Sequence, residues 1–88
     1  MPRYIIEREM GTIDMDALAG VGKQSLEVVD GMEGVNWIRS YISEAEGKIY
    51  CEYDAPNPEA VREHARLAGL PVTKISEVAM EVDPSMFR

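Results

Sequence analysis

Residues 44–47, with the sequence Glu-Ala-Glu-Gly, separate two segments of strand-like sequence. These segments span residues 35–43 and 48–54. Two strands joined by a short, glycine-containing connection are typical of a β-hairpin. We therefore predict a strand over each segment and a tight turn between them, and this hairpin forms the middle of the predicted fold.

A strand and a helix precede the hairpin. Residues 4–8 are rich in aromatic and β-branched types and predict a short strand. Residues 15–30 predict a helix with Asp14 as its N-cap. Gly20 and Gly22 are weak helix formers inside it, and we interpret them as positions where the helix approaches the sheet closely.

A second helix and a last strand follow the hairpin. Asn57 is the predicted N-cap, and Pro58 occupies the first helical position, where its missing N–H costs nothing. We predict the helix over residues 59–68 and the strand over residues 74–82, which leaves a short C-terminal tail at residues 83–88.

The resulting order, β-α-β-β-α-β, is that of the ferredoxin-like α+β fold. This fold has a four-stranded antiparallel sheet with two helices on one face and strands 1 and 3 in the centre. The chain has 88 residues, which is enough for one domain, and we predict a single domain over residues 1–88.

Composition limits the kinds of partner. Nine Lys and Arg residues are scattered among sixteen Asp and Glu, for a net charge of −7. Nucleic acids and anionic membranes bind basic faces, so we predict neither as a partner. The single cysteine, Cys51, excludes an internal disulfide, and no Cys/His cluster suggests zinc. Because the sequence has no secretory signal and no membrane-spanning run, we expect a cytoplasmic protein.

The hairpin loop also predicts the register of its strands. With residues 44–47 as the loop, Arg39 lies opposite Glu52 and the hairpin has two distinct faces. The apolar face, expected under the helices, consists of Ile38, Ile42, Ile49, Cys51 and Tyr53. The opposite face carries Trp37, Tyr41 and Tyr50. A shift by one residue would mix the two sets, so we prefer this register.

The aromatic face has no helix to cover it in a lone ferredoxin-like domain. Large exposed apolar patches are unusual in soluble monomers. We therefore predict a homodimer in which two sheets pack face to face, as in a dimeric α+β barrel. The alternative is that the C-terminal tail covers this face with Met86 and Phe87.

His64 is the only histidine and lies on the predicted sheet-facing stripe of the second helix. There it would point toward Ser40, Cys51 and Tyr53. We predict a ligand pocket at this place, with His64 as a ligand-binding, proton-carrying or metal-binding group. The alternative is a neutral core histidine bonded to a tyrosine or a carbonyl. Cys51 is more typical of a small buried hydrophobe than of a reactive thiol.

Two further features allow other hypotheses. Arg39 with Glu52 on the outer face of the sheet could bind a carboxylate or a cation between subunits, or could form a cross-strand ion pair at a dimer interface. Pro2 would become an N-terminal secondary amine after removal of Met1, as in tautomerases that use such an amine as a general base. Arg3, Arg8 or Arg39 would then hold the substrate acid.

Five segments resemble a family of small bacterial domains. They are Met-Pro-Arg-Tyr-Ile-Ile-Glu-Arg at 1–8, Trp-Ile-Arg-Ser-Tyr at 37–41, Lys-Ile-Tyr-Cys-Glu-Tyr at 48–53, Ala55-Pro56, and Arg-Glu-His-Ala-Arg at 62–66 with Ala68-Gly69. Most members are of unknown function, and the studied branch is described as nickel-binding. The resemblance implies a ferredoxin-like fold, a homodimer and possible nickel binding. Nickel favours imidazole and other N/O donors, which makes His64 the candidate ligand, with carboxylates or a second subunit completing the site.

These observations lead to one main hypothesis and two alternatives. We predict a small dimeric binding protein for a metal ion such as nickel, or for a small organic ligand, without an organic cofactor. The predicted site residues are His64, Cys51, Tyr53, Ser40, Arg39 and Glu52. The first alternative is a cofactor-independent enzyme of the dimeric α+β barrel kind, performing oxygenation or isomerisation beside His64. The second is the tautomerase that uses Pro2.

Overall fold

The computed structural model describes residues 1–88. Its helices and strands are β1 (Arg3–Glu9), α1 (Leu18–Asp30), β2 (Asn36–Ser43), β3 (Lys48–Asp54), α2 (Pro58–Ala68) and β4 (Lys74–Val78). The strand order is β2-β3-β1-β4, and every neighbouring pair is antiparallel. This confirms the predicted ferredoxin-like fold with β1 and β3 in the centre. No helix has the length and hydrophobicity needed to cross a membrane.

The ends of α2 form as the sequence predicts. The Asn57 side chain accepts a hydrogen bond from the Ala60 backbone N–H at 2.8 Å, and Pro58 occupies the first turn. Gly69 ends the helix with φ of +70°, a left-handed conformation that favours glycine. The bounds of β3 are as predicted, and those of β1, β2 and α2 differ by no more than one residue at either end.

Helix α1 begins three residues later than predicted. We expected it from residue 15 with Asp14 as its N-cap, but Leu18 is its first residue and Ala17 precedes it without a side-chain cap. The Asp14 carboxylate instead accepts a hydrogen bond from the Asp16 N–H at 2.9 Å. Aspartate side chains compete with helical hydrogen bonds in this way, and here the result is a separate turn before the helix.

Strand β4 is shorter than the predicted residues 74–82. It ends at Val78, which lies opposite Arg3, the first residue of β1. Residues 79–82 therefore have no neighbouring strand with which to pair, and they are exposed. Glu81 in this segment forms an ion pair with Arg3.

A β-bulge that the sequence did not predict interrupts the pairing of β2 with β3. The predicted register is confirmed from Arg39 onwards, with Arg39 opposite Glu52. Before it, Ile38 is an extra residue without a partner in β3, and Trp37 therefore lies opposite Tyr53. The prediction that Trp37 belongs to the uncovered face is wrong, because the bulge returns it to the helix side of the sheet.

The core lies between the helices and the sheet face that they cover, here called the inner face. Its buried residues are Tyr4, Ile6, Val29, Val35, Ile49, Cys51, Tyr53, Ala55 and Val61. No helix covers the opposite, outer face, where Tyr41 is 55% exposed. Met86 and Phe87 are also exposed, at 55% and 77%. The alternative in which these two side chains cover the aromatic face is therefore wrong.

Candidate functional site

A cavity of about 440 Å³ lies between α1 and the inner face of the sheet. We call it the α1 cavity. Small residues on α1 leave room for it, since Ala19 and Gly22 both line its wall. A Cβ atom at Gly22 would make an ordinary contact of 3.9 Å with the Trp37 ring, and one at Gly20 would meet no atom within 4 Å, so the predicted close approach of the helix at these glycines is wrong. The other apolar side chains of the wall include Leu18, Ile42, Ile49 and Leu70.

Trp37, Ser40 and Cys51 form one row of polar contacts in the cavity wall. The indole Nε1–H of Trp37 donates to Ser40 Oγ at 2.9 Å. The Ser40 hydroxyl in turn donates to Cys51 Sγ, also at 2.9 Å. The bulge before Arg39 makes this row possible because it places Trp37 on the same face as Ser40.

His64, Ser25 and Tyr53 form a second polar group, which connects the two helices to the sheet. The His64 imidazole is fully buried, and its Nε2 lies 3.1 Å from the Ser25 carbonyl oxygen. A carbonyl can only accept, so Nε2 carries the proton. The Ser25 hydroxyl lies 3.5 Å from the Tyr53 hydroxyl, and the Tyr53 and His64 rings are 5.0 Å apart at a tilt of 54°.

The surroundings keep both rings neutral near pH 7. Burial lowers the pKa of the His64 imidazole; the hydrogen bond to the Ser25 carbonyl opposes this effect, and the positive charge of Arg8 adds to it. Burial raises the pKa of the Tyr53 hydroxyl, and the hydrogen bond with Ser25 opposes that shift. An uncharged imidazole and an uncharged phenol are thus the forms present beside the cavity.

Arg8 brings a permanent positive charge to the cavity wall. Its side chain is fully buried, and Nη1 donates to the Pro71 carbonyl oxygen at 2.8 Å. The guanidinium carbon lies 6.0 Å from the centre of the Tyr53 ring. The remaining nitrogens, Nε and Nη2, have no hydrogen-bond partner within the chain. Buried charges are normally paired, which makes this group unusual.

The structure brings some of the predicted site residues together and separates others. Ser40, Cys51 and Tyr53 line the α1 cavity. His64 lies behind the wall, linked to it through Ser25 and Tyr53. Arg39 and Glu52 lie on the outer face, where Arg39 Nε is 3.9 Å from a Glu52 oxygen, so this pair is remote from the cavity.

The sequence does not predict the place of three side chains at this cavity. From the sequence we predict a role for Arg8 only beside Pro2, although its alternation with Tyr4 and Ile6 places it on the inner face. Ser25 is buried in α1, and no local signal in the sequence marks it as a site residue. The predicted register places Trp37 on the outer face, and no local signal in the sequence marks the bulge that moves it to the inner face.

Pro2 lies outside this site. It is exposed, and its carbonyl oxygen accepts a hydrogen bond from the Ala55 N–H at 3.1 Å. Five residues of extended chain lie between it and Arg8, which places the two residues roughly 20 Å apart. An amine at Pro2 therefore does not share the cavity with the buried arginine.

A family model described as "Nickel responsive protein SCO4226-like" matches residues 4–78, from β1 through β4. The chain belongs to this family. The matched region contains both helices, the α1 cavity and all of the sheet except Arg3. No curated protein matches the chain.

Solved structures resemble the chain over nearly its whole length. The crystal structure of SCO4226 from Streptomyces coelicolor A3(2) is 28% identical, with a TM-score of 0.80 over 91% of this chain and 99% of that one. The structure of protein YJCS is 20% identical, with a TM-score of 0.55 over 92% and 100%, and shows the shared fold. A structure of an antibiotic biosynthesis monooxygenase, at 16% identity and a TM-score of 0.45 over 96% and 100%, is too distant to inform function.

Nickel, the metal in the description of the SCO4226-like family, does not fit the donor set of one chain. No three His, Cys, Asp or Glu side chains lie close enough together to hold a metal ion. The buried His64 uses Nε2 to donate to Ser25, which leaves Nδ1 as its only free donor atom. The nearby Arg8 cation would also repel a divalent ion there.

Proposed function

We propose that this protein is a dimeric small-molecule-binding protein whose ligand occupies the α1 cavity. The observation that carries the proposal is the composition of the wall, which is mostly apolar and includes a few residues with polar groups, among them Arg8, Ser40 and Tyr53. Ligand sites of soluble proteins commonly have this character, and their volumes are on the order of 300–1,000 Å³. The volume of the α1 cavity lies within that range.

The polar contacts favour binding over catalysis. A nucleophilic Cys–His pair needs a hydrogen bond between the two side chains. Here Cys51 Sγ accepts from Ser40, while His64 Nε2 donates to a backbone carbonyl. Both groups are thus engaged in holding α1 and β2 in place around the cavity, and neither is directed at a reacting atom.

A neutral apolar dye tests this function directly. N-phenyl-1-naphthylamine becomes fluorescent in apolar surroundings, and its emission can be excited through a nearby tryptophan. Trp37 is the only tryptophan of the chain and lines the cavity. We expect saturable dye binding with quenching of Trp37 emission. The absence of saturable binding would contradict the proposed function.

The outer face of the sheet supports the dimeric part of the proposal. It exposes Tyr41 beside Tyr50, and it carries charges of both signs, including the Lys48–Glu7 pair at 3.3 Å. A face with apolar side chains and both signs of charge is able to pair with a second copy of itself about a two-fold axis. We infer that two sheets pack across this face, which leaves the two α1 cavities on the outside of the dimer.

Nickel is the second candidate ligand, because the family is described as nickel responsive. His64 is a poor nickel ligand, because Nε2 donates to the Ser25 carbonyl and no group of three possible metal ligands lies together in the chain. Nickel binding by this chain would therefore use side chains other than the imidazole, and calorimetric titration of the wild-type protein with nickel chloride tests it.

A further inference from the structure

The guanidinium of Arg8 has one edge without a partner. Nη1 is occupied by the Pro71 carbonyl, whereas Nε and Nη2 make no hydrogen bond within the chain. The N–H groups of Nε and Nη2 point the same way and form the fork that accepts the two oxygens of a carboxylate. The unpaired atoms are thus a matched pair on one side of the group.

Other arginines of this chain use the same edge to bind carboxylates. Arg3 contacts the two oxygens of Asp54 through Nε at 3.0 Å and Nη2 at 3.4 Å. Arg66 contacts both oxygens of Glu63 through the same two nitrogens. Arg8 therefore differs from Arg3 and Arg66 in lacking the acid, although its geometry is suited to one.

The missing acid does not come from the chain itself. Acidic residues outnumber basic ones by sixteen to nine, yet Arg8 takes part in none of the six ion pairs. All six involve side chains that retain some exposure, whereas Arg8 is 0% exposed. A buried cation without a counter-charge is costly, so a site that retains one favours an anionic ligand.

We infer that Arg8 binds the carboxylate of a small organic acid whose apolar body lies in the α1 cavity, and that the Arg8 side chain, which is 0% exposed, turns into the cavity to do so. This inference rests on the proposed function and adds the chemical class of the ligand. The apolar wall selects a hydrocarbon-like body, and the fork of Arg8 selects a planar, two-oxygen head over a neutral amide. Tyr53, whose ring lies near the guanidinium, closes the site on the sheet side.

Octanoate and octanamide form a matched pair of probes, since they share a body and differ in the charge of the head. We expect octanoate to displace N-phenyl-1-naphthylamine from the wild-type protein at a concentration about tenfold lower than octanamide does. In Arg8→Met the two compounds should displace the dye equally. Acetate, which has the carboxylate without the apolar body, should compete far more weakly than octanoate.

Arg62→Met is the control, because Arg62 is exposed on α2 and makes no ion pair, and its loss changes the net charge equally. It should keep the wild-type preference. Arg8→Lys keeps the charge but loses the fork and should retain only part of the preference, which provides a test if Arg8→Met does not fold.

Three results would overturn the role of Arg8. They are equal displacement by octanoate and octanamide in the wild-type protein, a preference that survives in Arg8→Met, and a full preference in Arg8→Lys. Acetate competing as well as octanoate would overturn the apolar body of the ligand. If the dye binds but octanoate is not preferred, the cavity remains a binding site and only this inference fails. If neither the dye nor octanoate binds, the proposed function fails with it.

Discussion

His64 on α2 donates a hydrogen bond from Nε2 to the backbone carbonyl of Ser25 on α1, across 3.1 Å in the buried core. This contact joins the two helices directly above the inner face of the sheet. Because the carbonyl is an acceptor, it fixes the proton on Nε2 and leaves Nδ1 unprotonated and without a partner. The helix pair is thus held by a neutral histidine.

The first prediction follows from the lowered pKa of His64. The folded protein resists protonation of this ring, while the unfolded chain takes up a proton at its ordinary pKa of about 6.5. The unfolded state therefore binds more protons below that pH. We expect His64 to make the free energy of unfolding fall as the pH drops below about 6.5, with a slope of at most about 1.4 kcal/mol per pH unit.

Urea unfolding between about pH 8 and about pH 5 measures this effect. His64→Gln is the matched variant, since its side-chain amide can still donate to the Ser25 carbonyl but does not titrate. The difference in slope between the two proteins isolates the histidine from the carboxylates. Identical slopes would show that the imidazole is not held neutral in the folded state.

The hairpin illustrates how far the sequence determined the fold. The loop at residues 44–47 fixes which side chains face each other, and the pairing was therefore predictable from Arg39 to Ser43. The bulge at Ile38 was not predictable, because it depends on where the Trp37 ring finds room. The ring packs beside Gly22 on α1, which is distant in sequence.

The residues of the α1 cavity could likewise be predicted from the sequence only in part. Ser40, Cys51 and Tyr53 could be assigned to it because strand alternation places them on one face. The alternation of β1 also places Arg8 on this face. Arginines are almost never fully buried without a partner, so a sequence-based prediction would leave the Arg8 side chain exposed to solvent. Only the packing of α1 against the sheet shows that its charge lines a cavity.

The second prediction concerns nickel. His64→Gln should leave the nickel titration isotherm of the wild-type protein unchanged, because His64 is buried beside the Arg8 cation and uses Nε2 for Ser25. Isothermal calorimetry on both proteins, with circular dichroism to establish folding, provides the measurement. A nickel signal that is present in the wild type and lost in the folded variant would identify the imidazole as a ligand.

The third prediction tests the volume of the α1 cavity with two glycines of one helix. Gly22 lines the cavity and faces Trp37, whereas a Cβ at Gly20 meets no atom within 4 Å. Both Gly22→Leu and Gly20→Leu should raise helix propensity by about 0.5–1 kcal/mol. Only Gly22→Leu fills the cavity, and we expect it alone to weaken binding of N-phenyl-1-naphthylamine by about tenfold or more. Equal affinities of the two variants would place the dye elsewhere.

The fourth prediction concerns the close approach of two loops at Gly47. Its φ is +66°, and a Cβ atom there would overlap the Gly11 carbonyl group. Gly69 has a similar φ of +70° with no atom within 4 Å of a Cβ. Gly69→Ala should cost about 1–2 kcal/mol of stability from its backbone conformation alone. Gly47→Ala should cost clearly more in the same urea titration, and equal losses would contradict the overlap.

The last prediction tests the dimer through the outer face. Tyr41 is 55% exposed there and lies on the same strand face as Arg39, opposite Tyr50 in β3. Light scattering coupled to size-exclusion chromatography should give a dimer at micromolar concentration for the wild-type protein and a monomer for Tyr41→Glu, because the substitution buries an unpaired carboxylate in the interface. Leu67→Glu is the control, since Leu67 is 46% exposed on α2, and it should remain a dimer. A monomeric wild type, or a dimer that survives in Tyr41→Glu, would rule out pairing through this face.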